Sequence, residues 1–208
     1  MAEDRPPTIS YRDEVARKAV HLASVSIPLG LWILGRDVTV PILAALVVLA
    51  LLIEFGRLLV PAWHGFIDRW MGWMMRHDES RAFSGATFVV ISGLICSYYF
   101  QPKMIAVAAL LFLSISDALA SLVGRAVGGP GLFGKSFAGN LAFFLSAALI
   151  VLMTQPVTLG LGLLAALVAT IVEALPLRWR KLRIDDNFSS PISAGLVMTF
   201  GSTGMWIV

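Results

Sequence analysis

The sequence predicts an all-α, polytopic membrane helix bundle with about seven transmembrane helices and one amphipathic helix at the membrane interface. Three observations predict this fold class: 58% of the 208 residues are hydrophobic, only 14% are charged, and the mean hydropathy is +0.83. Soluble domains are typically about 45–50% apolar and about 25% charged. The composition therefore excludes an ordinary globular, disordered or nucleic-acid-binding protein, and the single cysteine excludes a disulfide framework or a cysteine-based zinc site.

Hydrophobic runs of about 17–25 residues, the length that crosses a hydrocarbon core, recur along the chain. We assign spans to residues 16–35, 38–58, 83–101, 103–124, 136–154, 156–175 and 189–208. The short tails and loops between them leave no room for a soluble catalytic domain, so 1–208 is expected to be a single integral membrane domain. The mixed-charge stretch before the first apolar run and the lack of a small-residue cleavage site argue against a cleaved signal peptide.

Lysine and arginine are unevenly distributed between the two sets of loops. Fourteen of the 16 basic residues lie at one face of the predicted bundle, in its tail and loops or at the adjoining span ends, and only Arg36 and Lys103 lie at the other face. Basic residues favour cytoplasmic loops. We therefore expect the N-terminus in the cytoplasm and the C-terminus outside, in a multi-pass protein of a prokaryotic inner membrane.

The segment 61–82, between spans two and three, has an amphipathic pattern. Its apolar residues fall at helical spacing on one face: Trp63, Phe66, Ile67, Trp70 and Met74. This pattern is typical of a helix lying in the membrane interface, with its tryptophans at headgroup depth. The helix could act only as an anchor, or it could gate the entry of a lipid.

Ionisable residues inside the predicted spans indicate a functional site, since they are costly in hydrocarbon and usually face the bundle interior. Glu54, Asp117 and Glu173 lie in spans two, four and six, each in the half nearer the cytoplasm. His21 lies about one turn inside span one. An interhelical hydrogen bond is the alternative role for His21 and Glu173, and an ion pair with Arg57 is the favoured role for Glu54. A functional role is most strongly indicated for Asp117.

A glycine-rich cytoplasmic loop is predicted at 125–136. Its residues 129–136 match the pattern G-x-x-x-x-G-K-S, but the nucleotide-binding fold of that pattern needs a preceding β-strand, and here a membrane helix precedes it. The local chemistry still suits a phosphate, because glycine N–H groups, a lysine and a helix N-terminus all attract one. A flexible connector is the alternative. The candidate phosphate contacts in the loop are Arg125, Gly129, Gly131, Gly134, Lys135 and Ser136.

A second cytoplasmic loop, 176–188, contains basic and then acidic residues. The basic ones, which could set topology or contact anionic lipids, are Arg178, Arg180, Lys181 and Arg183. Asp185, Asp186 and Asn187 follow directly before span seven. Hard oxygen ligands suit Mg²⁺, which usually takes one or two carboxylates plus substrate phosphates. The same residues ahead of Pro191 are also ordinary signals for the start of a helix, so both interpretations stay open.

These blocks, in this order, resemble the polyprenol kinase family of membrane enzymes, which includes dolichol kinases, phytol and farnesol kinases, and CTP-dependent diacylglycerol kinases. The matching pieces are residues 14–21, 116–125, 134–139, Glu173, 185–187 and 190–192. The chain departs from the family in having Ser116 where a glycine is common and Ala138 where a glutamate is common. A weaker likeness links the central block to phosphatidate cytidylyltransferases.

The resemblance implies transfer of the γ-phosphoryl group of a nucleotide, typically CTP with a divalent metal such as Mg²⁺, to the hydroxyl of a lipid alcohol. The expected partners are thus a nucleoside triphosphate, a lipid alcohol and membrane lipids, with no nucleic acid. The implied catalytic residues are Asp117, Glu173 and His21, and the implied metal ligands are Asp117, Asp185, Asp186 and Asn187. Arg17 and Lys18 join the loop residues as candidate phosphate contacts.

Two other functions compete with the kinase. A cytidylyltransferase would release pyrophosphate from CTP and would need a lipid phosphate as its acceptor. A lipid transporter is less favoured, because inverted repeats and polar residues at mid-bilayer depth would be expected, whereas the polar residues here lie near one membrane face.

Overall fold

The structure is a computed structural model, and it describes residues 18, 21–60, 63, 65, 69, 83–132, 135–176, 178–179 and 182–203. Helices account for most of these residues, which confirms the predicted all-α class. They are α1 (Ser26–Leu34, preceded by a 3₁₀ turn, Ala23–Val25), α2 (Arg36–Leu59), α3 (Gly85–Tyr99), α4 (Lys103–Leu111), α5 (Asp117–Val127), α6 (Phe137–Thr154), α7 (Leu159–Ala174) and α8 (Asp186–Thr203).

Two features of the secondary structure were not predicted. A π-helical segment, Phe112–Ser116, joins α4 to α5, so that Lys103–Val127 forms one continuous rod. Two antiparallel hairpins interrupt the loops: β1 (Gly131–Leu132) pairs with β2 (Lys135–Ser136), and β3 (Arg178–Trp179) pairs with β4 (Leu182–Arg183).

Three of the described helices are long and apolar enough to cross a membrane: α2, the rod Lys103–Val127, and α6. Ala23–Leu34, α3 and α7 are shorter apolar helices. An apolar helical architecture is thus present, and the count of seven spans stays a prediction. The predicted interfacial helix lies largely outside the described residues; Trp63, Gly65 and Arg69, which are described, are helical.

The connection between α1 and α2 is shorter than the sequence suggested. The predicted spans end at 35 and begin again at 38, but a single residue, Gly35, separates the two helices. Its φ of +78° lies in the left-handed region that glycine adopts without a steric penalty. Glycine at this position therefore allows α1 and α2 to follow each other so closely.

The rod Lys103–Val127 is the centre of the bundle. In the most apolar 18-residue stretch of the rod, 72% of the residues are buried. In the corresponding stretch of α2 only 17% are buried, so α2 lies at the periphery. Many of the rod's buried residues are small, including Ala106, Ala108 and Ala109, each fully buried. Small residues let neighbouring helices approach closely. The rod carries Asp117, so the predicted site residue lies on the most enclosed element.

Glycines allow two other close contacts in the bundle. A Cβ atom on Gly195 of α8 would lie 2.0 Å from the ring of Phe100, and one on Gly162 of α7 would lie 2.4 Å from Val151 of α6. Both distances are far below van der Waals contact. Because Gly195 has no side chain, α8 can pack against Phe100, the residue that follows α3. Gly162 likewise lets α7 pack closely against α6.

We expect Gly195→Ala to destabilise the protein by about 1–3 kcal/mol, because forcing additional volume into a packed interior displaces its neighbours. Thermal unfolding of the detergent-solubilised protein measures the effect. Gly160→Ala is the matched control, since nothing lies within 4 Å of the added Cβ. If the two variants unfold at the same temperature, α8 does not pack against Phe100 as described.

Candidate active site

The first part of the site is built around Asp117, the first residue of α5, which is only 8% exposed. Lys18 Nζ lies 2.5 Å from Asp117 Oδ2, and His21 Nε2 lies 3.2 Å from the same oxygen. His21 Nε2 is also 3.0 Å from the carbonyl oxygen of Leu113. Both neighbours of Nε2 are acceptors, so this nitrogen carries a proton and donates it. The N-terminal segment therefore supplies the polar partners of the buried carboxylate.

The π-helical segment before Asp117 determines where this carboxylate lies. A π turn inserts one additional residue into a helix and so redirects the side chains that follow; such turns are frequent at functional sites. Ser114 Oγ in this segment is 2.8 Å from Ser24 Oγ in the 3₁₀ turn. This contact and the one from His21 hold the N-terminal helix against the rod at the level of Asp117.

The second part of the site is a lysine shared by two carboxylates. Lys135 of β2 donates hydrogen bonds to Glu173 and, at 2.8 Å, to Asp186 Oδ2. Glu173, near the end of α7, is 3% exposed, and Asp186 is the first residue of α8. The glycine-rich loop, the end of α7 and the start of α8 therefore converge on one ammonium group.

The charge of Lys135 is stabilised by these contacts. Burial alone would lower its pKa, but the charges of Glu173 and Asp186 and their hydrogen bonds outweigh burial and raise the pKa above its ordinary value. Lys135 is therefore a cation at physiological pH.

The two parts belong to one charged site. Asp117 interacts electrostatically with Lys135 and with Glu173, and Glu173 interacts with Asp186. Two lysines, Lys18 and Lys135, are thus placed among three carboxylates that come from three different helices. This juxtaposition contains the residue types that phosphate and metal binding require.

The glycine-rich loop is an ordered hairpin, as far as its described residues show. Gly128 and Gly129 adopt φ values of +66° and +95°, which favour glycine and turn the chain out of α5. The hairpin then returns to Ser136, whose Oγ accepts a hydrogen bond of 3.1 Å from the backbone N–H of Gly139. Ser136 therefore caps the N-terminus of α6, as expected for this residue type.

A close helix crossing holds this cap against α5. A Cβ atom on Gly124 would lie 2.7 Å from Ser136 Oγ, and one on Gly139 would lie 2.7 Å from the carbonyl oxygen of Ala120. The two glycines therefore bring the N-terminus of α6 into direct contact with the helix that carries Asp117.

The predicted metal-binding run 185–187 is divided between two roles. Asp185 Oδ1 accepts a hydrogen bond of 2.9 Å from the backbone N–H of Asn187, and the Asp185 carbonyl accepts from Phe188 and Ser189, so Asp185 starts α8. Asp186 reaches Lys135. Within the described ranges, no group of three or more His, Cys, Asp and Glu side chains is arranged to hold a metal ion.

Glu54 forms a separate, structural cluster. Arg57 Nη2 donates to Glu54 Oε2 at 2.6 Å, as the sequence predicted, while Ser84 N and Thr87 Oγ1 donate to Oε1 at 2.8 and 3.0 Å. Glu54 and Arg57 are 3% and 2% exposed. The cluster joins the end of α2 to the start of α3.

The remaining predicted residues are placed less centrally. Arg125 lies on the exposed last turn of α5, and Gly131 lies in β1, while Arg17 and Gly134 lie outside the described residues.

The sequence analysis did not predict the pairing of Lys18 with Asp117. The signal for it was the i, i+3 spacing of Lys18 and His21, which puts both side chains on one helix face. Buried Asn140, on α6, was also missed.

Comparison with known proteins identifies the family. The chain is 30% identical over 218 residues to the CTP-dependent diacylglycerol kinase 1 of Eremothecium gossypii, an alignment that covers 90% of this chain and 67% of that protein. The chain belongs to the polyprenol kinase family. The resemblance found in the sequence is therefore confirmed, and it supports a kinase activity in a membrane protein.

Two other relatives match the chain. It is 30% identical to an uncharacterized protein of Rickettsia prowazekii, over 92% of this chain and 96% of that one. It is 29% identical to a probable chloroplastic phytol kinase of Triticum aestivum, over 56% of this chain and 44% of that one. No protein-family model and no solved structure matches it.

We expect the contribution of Lys135 to stability to disappear at high pH. A lysine whose pKa is raised on folding stabilises the fold fully below the pKa of an unfolded lysine, about 10.4, and loses this contribution as the pH rises through its folded value. The difference in Tm between wild type and Lys135→Gln should therefore be constant between about pH 7 and 9 and should shrink above about pH 10.4.

Lys103→Gln is the control, because Lys103 Nζ contacts the backbone carbonyl of Trp32 rather than a carboxylate. A Tm difference for Lys135→Gln that widens as the pH increases would contradict the charge arrangement described above.

Proposed function

We propose that the protein is a membrane lipid-alcohol kinase that transfers the γ-phosphoryl group of CTP to the hydroxyl of a prenol, a polyprenol or a similar lipid. The observation that carries this proposal is the meeting of buried Asp117 and its partner Lys18 with the Lys135–Glu173–Asp186 cluster. The diacylglycerol kinase and phytol kinase relatives support the reaction class.

The lysines and the hairpin suit the nucleotide phosphates. Phosphoryl transfer requires mainly positioning and charge neutralisation from the protein. Lys135 lies in the hairpin that leads directly to the N-terminus of α6, where free backbone N–H groups favour an anion. In our proposal the β- and γ-phosphates bind here and compete with Glu173 and Asp186 for the ammonium group of Lys135. Gly129 and Gly131 lie in the same loop, and Arg125 lies in the last turn of α5 that precedes it.

The acidic residues suit a divalent cation that arrives with the nucleotide. Glu173 and Asp186 already stabilise one cation, the Lys135 ammonium, between them. Mg²⁺ needs only one or two protein carboxylates when phosphates complete its shell, so this donor set fits it. Asp117 and Asp186 would hold the metal, with Asp185 and Asn187 adjacent at the start of α8. Once bound, the metal would neutralise charge on the phosphates.

The lipid hydroxyl needs a group that orients it and takes its proton. His21 donates through Nε2 to Asp117 and to the Leu113 carbonyl, so in this arrangement its role is to position Asp117. Asp117 and Glu173 are the carboxylates that could accept the proton. The lipid would arrive from the bilayer with its tail still in the membrane, at the face that the basic loops predict to be cytoplasmic.

We expect Asp117→Asn to reduce kcat by on the order of 10²–10³-fold, the usual cost of removing one electrostatic group from a catalytic site. Asp37→Asn is the matched control, because Asp37 is an acid in the first turn of α2 and belongs to no part of this site. The assay combines labelled CTP or ATP with a panel of lipid alcohols and identifies the products by mass.

A phosphorylated lipid together with CDP supports the kinase. Release of pyrophosphate and formation of a CDP-lipid would instead identify a cytidylyltransferase. Folded Asp117→Asn protein with wild-type turnover would refute the role of Asp117.

A further inference from the structure

Four phenylalanine side chains form a continuous row that crosses from α2, over the start of α3, to the first turn of α8. The ring centroids of Phe55 and Phe83 are 5.7 Å apart, those of Phe83 and Phe88 are 6.4 Å apart, and those of Phe88 and Phe188 are 6.4 Å apart. These separations are all within the range of favourable aromatic pairs, about 4.5–7 Å. We call this row the phenylalanine strip.

The phenylalanine strip is not part of the buried core. Phe55 is 49% exposed, and the other three rings of the strip are partly exposed. By contrast, Phe100, Phe112 and Phe143 are 4%, 0% and 0% exposed. Because α3 packs against both α2 and α8, the strip forms an accessible aromatic surface across three neighbouring helices.

The α2 end of the strip lies beside an interfacial tryptophan. A Cβ atom on Gly56, the residue after Phe55, would lie 3.3 Å from the ring of Trp63, so this ring packs on the end of α2. Trp63 is 52% exposed. Exposed tryptophans of membrane proteins concentrate at the level of the lipid headgroups. The strip therefore begins where a lipid in the bilayer can reach it.

Hydrogen bonds of the Glu54 cluster fix three of the four ring-bearing positions. Glu54 Oε1 accepts from Ser84 N at 2.8 Å and from Thr87 Oγ1 at 3.0 Å. Each of these three residues is the direct neighbour in sequence of one ring of the strip, namely Phe55, Phe83 and Phe88. The buried polar cluster therefore holds in place the backbone that carries the accessible rings.

The fourth ring is held in the same way. Asn187 directly precedes Phe188, and its carbonyl oxygen accepts a hydrogen bond of 2.8 Å from Ser92 Oγ of α3. Binding surfaces need supporting contacts of this kind to keep their side chains in position. The strip is therefore a preformed surface, and α8 cannot shift along α3 without breaking this contact.

The α8 end of the strip lies close to the charged site. Phe188 is two residues after Asp186, whose Oδ2 lies 2.8 Å from Lys135 Nζ. At 3.6 residues per turn, the two side chains leave α8 about 200° apart, on opposite sides of its first turn, and a helix is about 10 Å wide. A lipid whose hydroxyl lies at the carboxylates would therefore place on the strip a part of its tail that is about 10 Å away.

We propose that the phenylalanine strip binds the hydrocarbon tail of the lipid acceptor and guides it from the bilayer, past α3, to the charged site. The inference rests on the proposed kinase function and names where the acceptor enters. A charged nucleotide gains nothing from an apolar surface, whereas a hydrocarbon tail gains dispersion and hydrophobic contacts there. Glu54 acts in this arrangement as a positioning residue for the strip.

This binding mode makes the effect of the strip depend on tail length. An acceptor with a tail too short to extend across the first turn of α8 cannot contact the strip while its hydroxyl is in the site. Loss of a ring should therefore weaken long-tailed acceptors and leave short-tailed ones almost unaffected. A general disturbance of the fold would weaken both.

The kinetic test uses CTP as donor and two pairs of acceptors in phosphatidylcholine vesicles: farnesol with dimethylallyl alcohol, and dioleoylglycerol with dihexanoylglycerol. Phe88→Ala should raise the KM for the long-tailed acceptor by about tenfold, equivalent to about 1.4 kcal/mol, and the KM for the short-tailed acceptor and for CTP by less than about twofold. Phe55→Ala should act in the same direction. Because the Phe55 ring is exposed, this variant keeps the test possible if Phe88→Ala does not fold.

Tyr98→Ala is the matched control. Tyr98 is 55% exposed and its ring lies 4.8 Å from that of Tyr99, so it too is an accessible member of an aromatic pair. It lies on the same helix as Phe88, about 15 Å further along. Its replacement should leave every KM unchanged.

A second experiment does not depend on turnover. Diazirine-tagged farnesol and diazirine-tagged dioleoylglycerol are photolysed in vesicles that contain the full-length protein, and the labelled residues are identified by mass spectrometry. We expect label at the strip that an excess of the untagged lipid removes. The label should fall in Phe88→Ala and stay unchanged in Tyr98→Ala.

Three results would overturn the inference while leaving the kinase intact. They are an equal rise in KM for long-tailed and short-tailed acceptors, an unchanged KM for the long-tailed acceptor in both phenylalanine variants, and displaceable label that lies away from the strip. Displaceable label at the strip without phosphorylation of any lipid alcohol would support lipid binding there and would refute the proposed function instead.

Discussion

The burial of the Asp117 carboxylate is the constraint on which the rest of the site depends. A charged group in a low-dielectric interior is strongly unfavourable unless it is paired and hydrogen-bonded. Lys18 and His21 provide this pairing from the N-terminal segment, 99 and 96 positions away in the chain. Because these contacts satisfy Asp117, they also fix α1 and its 3₁₀ turn against the central rod. The same interaction therefore organises both the bundle and the candidate site.

The Glu54 cluster and the site show how similar residues acquire different roles. Glu54 is bound by Arg57 of its own helix and by donors from Ser84 and Thr87, all at ordinary hydrogen-bond distances. No mobile ligand is needed to complete that arrangement. In the site, by contrast, Lys135 is shared by two carboxylates, and in our proposal an incoming phosphate competes for it. A shared lysine is easier to redirect than a carboxylate bound by several fixed donors, which agrees with a binding role for the second cluster.

Small residues connect the packing of the bundle to the chemistry of the site. Gly124 and Gly139 allow α5 and α6 to touch, and this contact places the capped N-terminus of α6 beside the helix of Asp117. The hairpin is thereby held between two rigid helices. Precise placement of charged groups requires such support, and a longer or looser connection between α5 and α6 would not supply it.

The sequence by itself determined the helical class, the acids inside apolar segments and the glycine–lysine loop, because periodicity and composition are local properties. The ion pair of Glu54 with Arg57 was predictable for the same reason, since the two residues are three positions apart. Tertiary structure decided which two carboxylates share Lys135, that Asp185 starts α8 while Asp186 reaches Lys135, and that Asn140 Nδ2 is buried with no hydrogen-bond partner among the residues that the structure describes. These outcomes depend on how helices that are distant in sequence pack together. The direction in which a side chain leaves its helix then decides whether it lies in the site or caps a helix end. Amino-acid composition does not encode that direction.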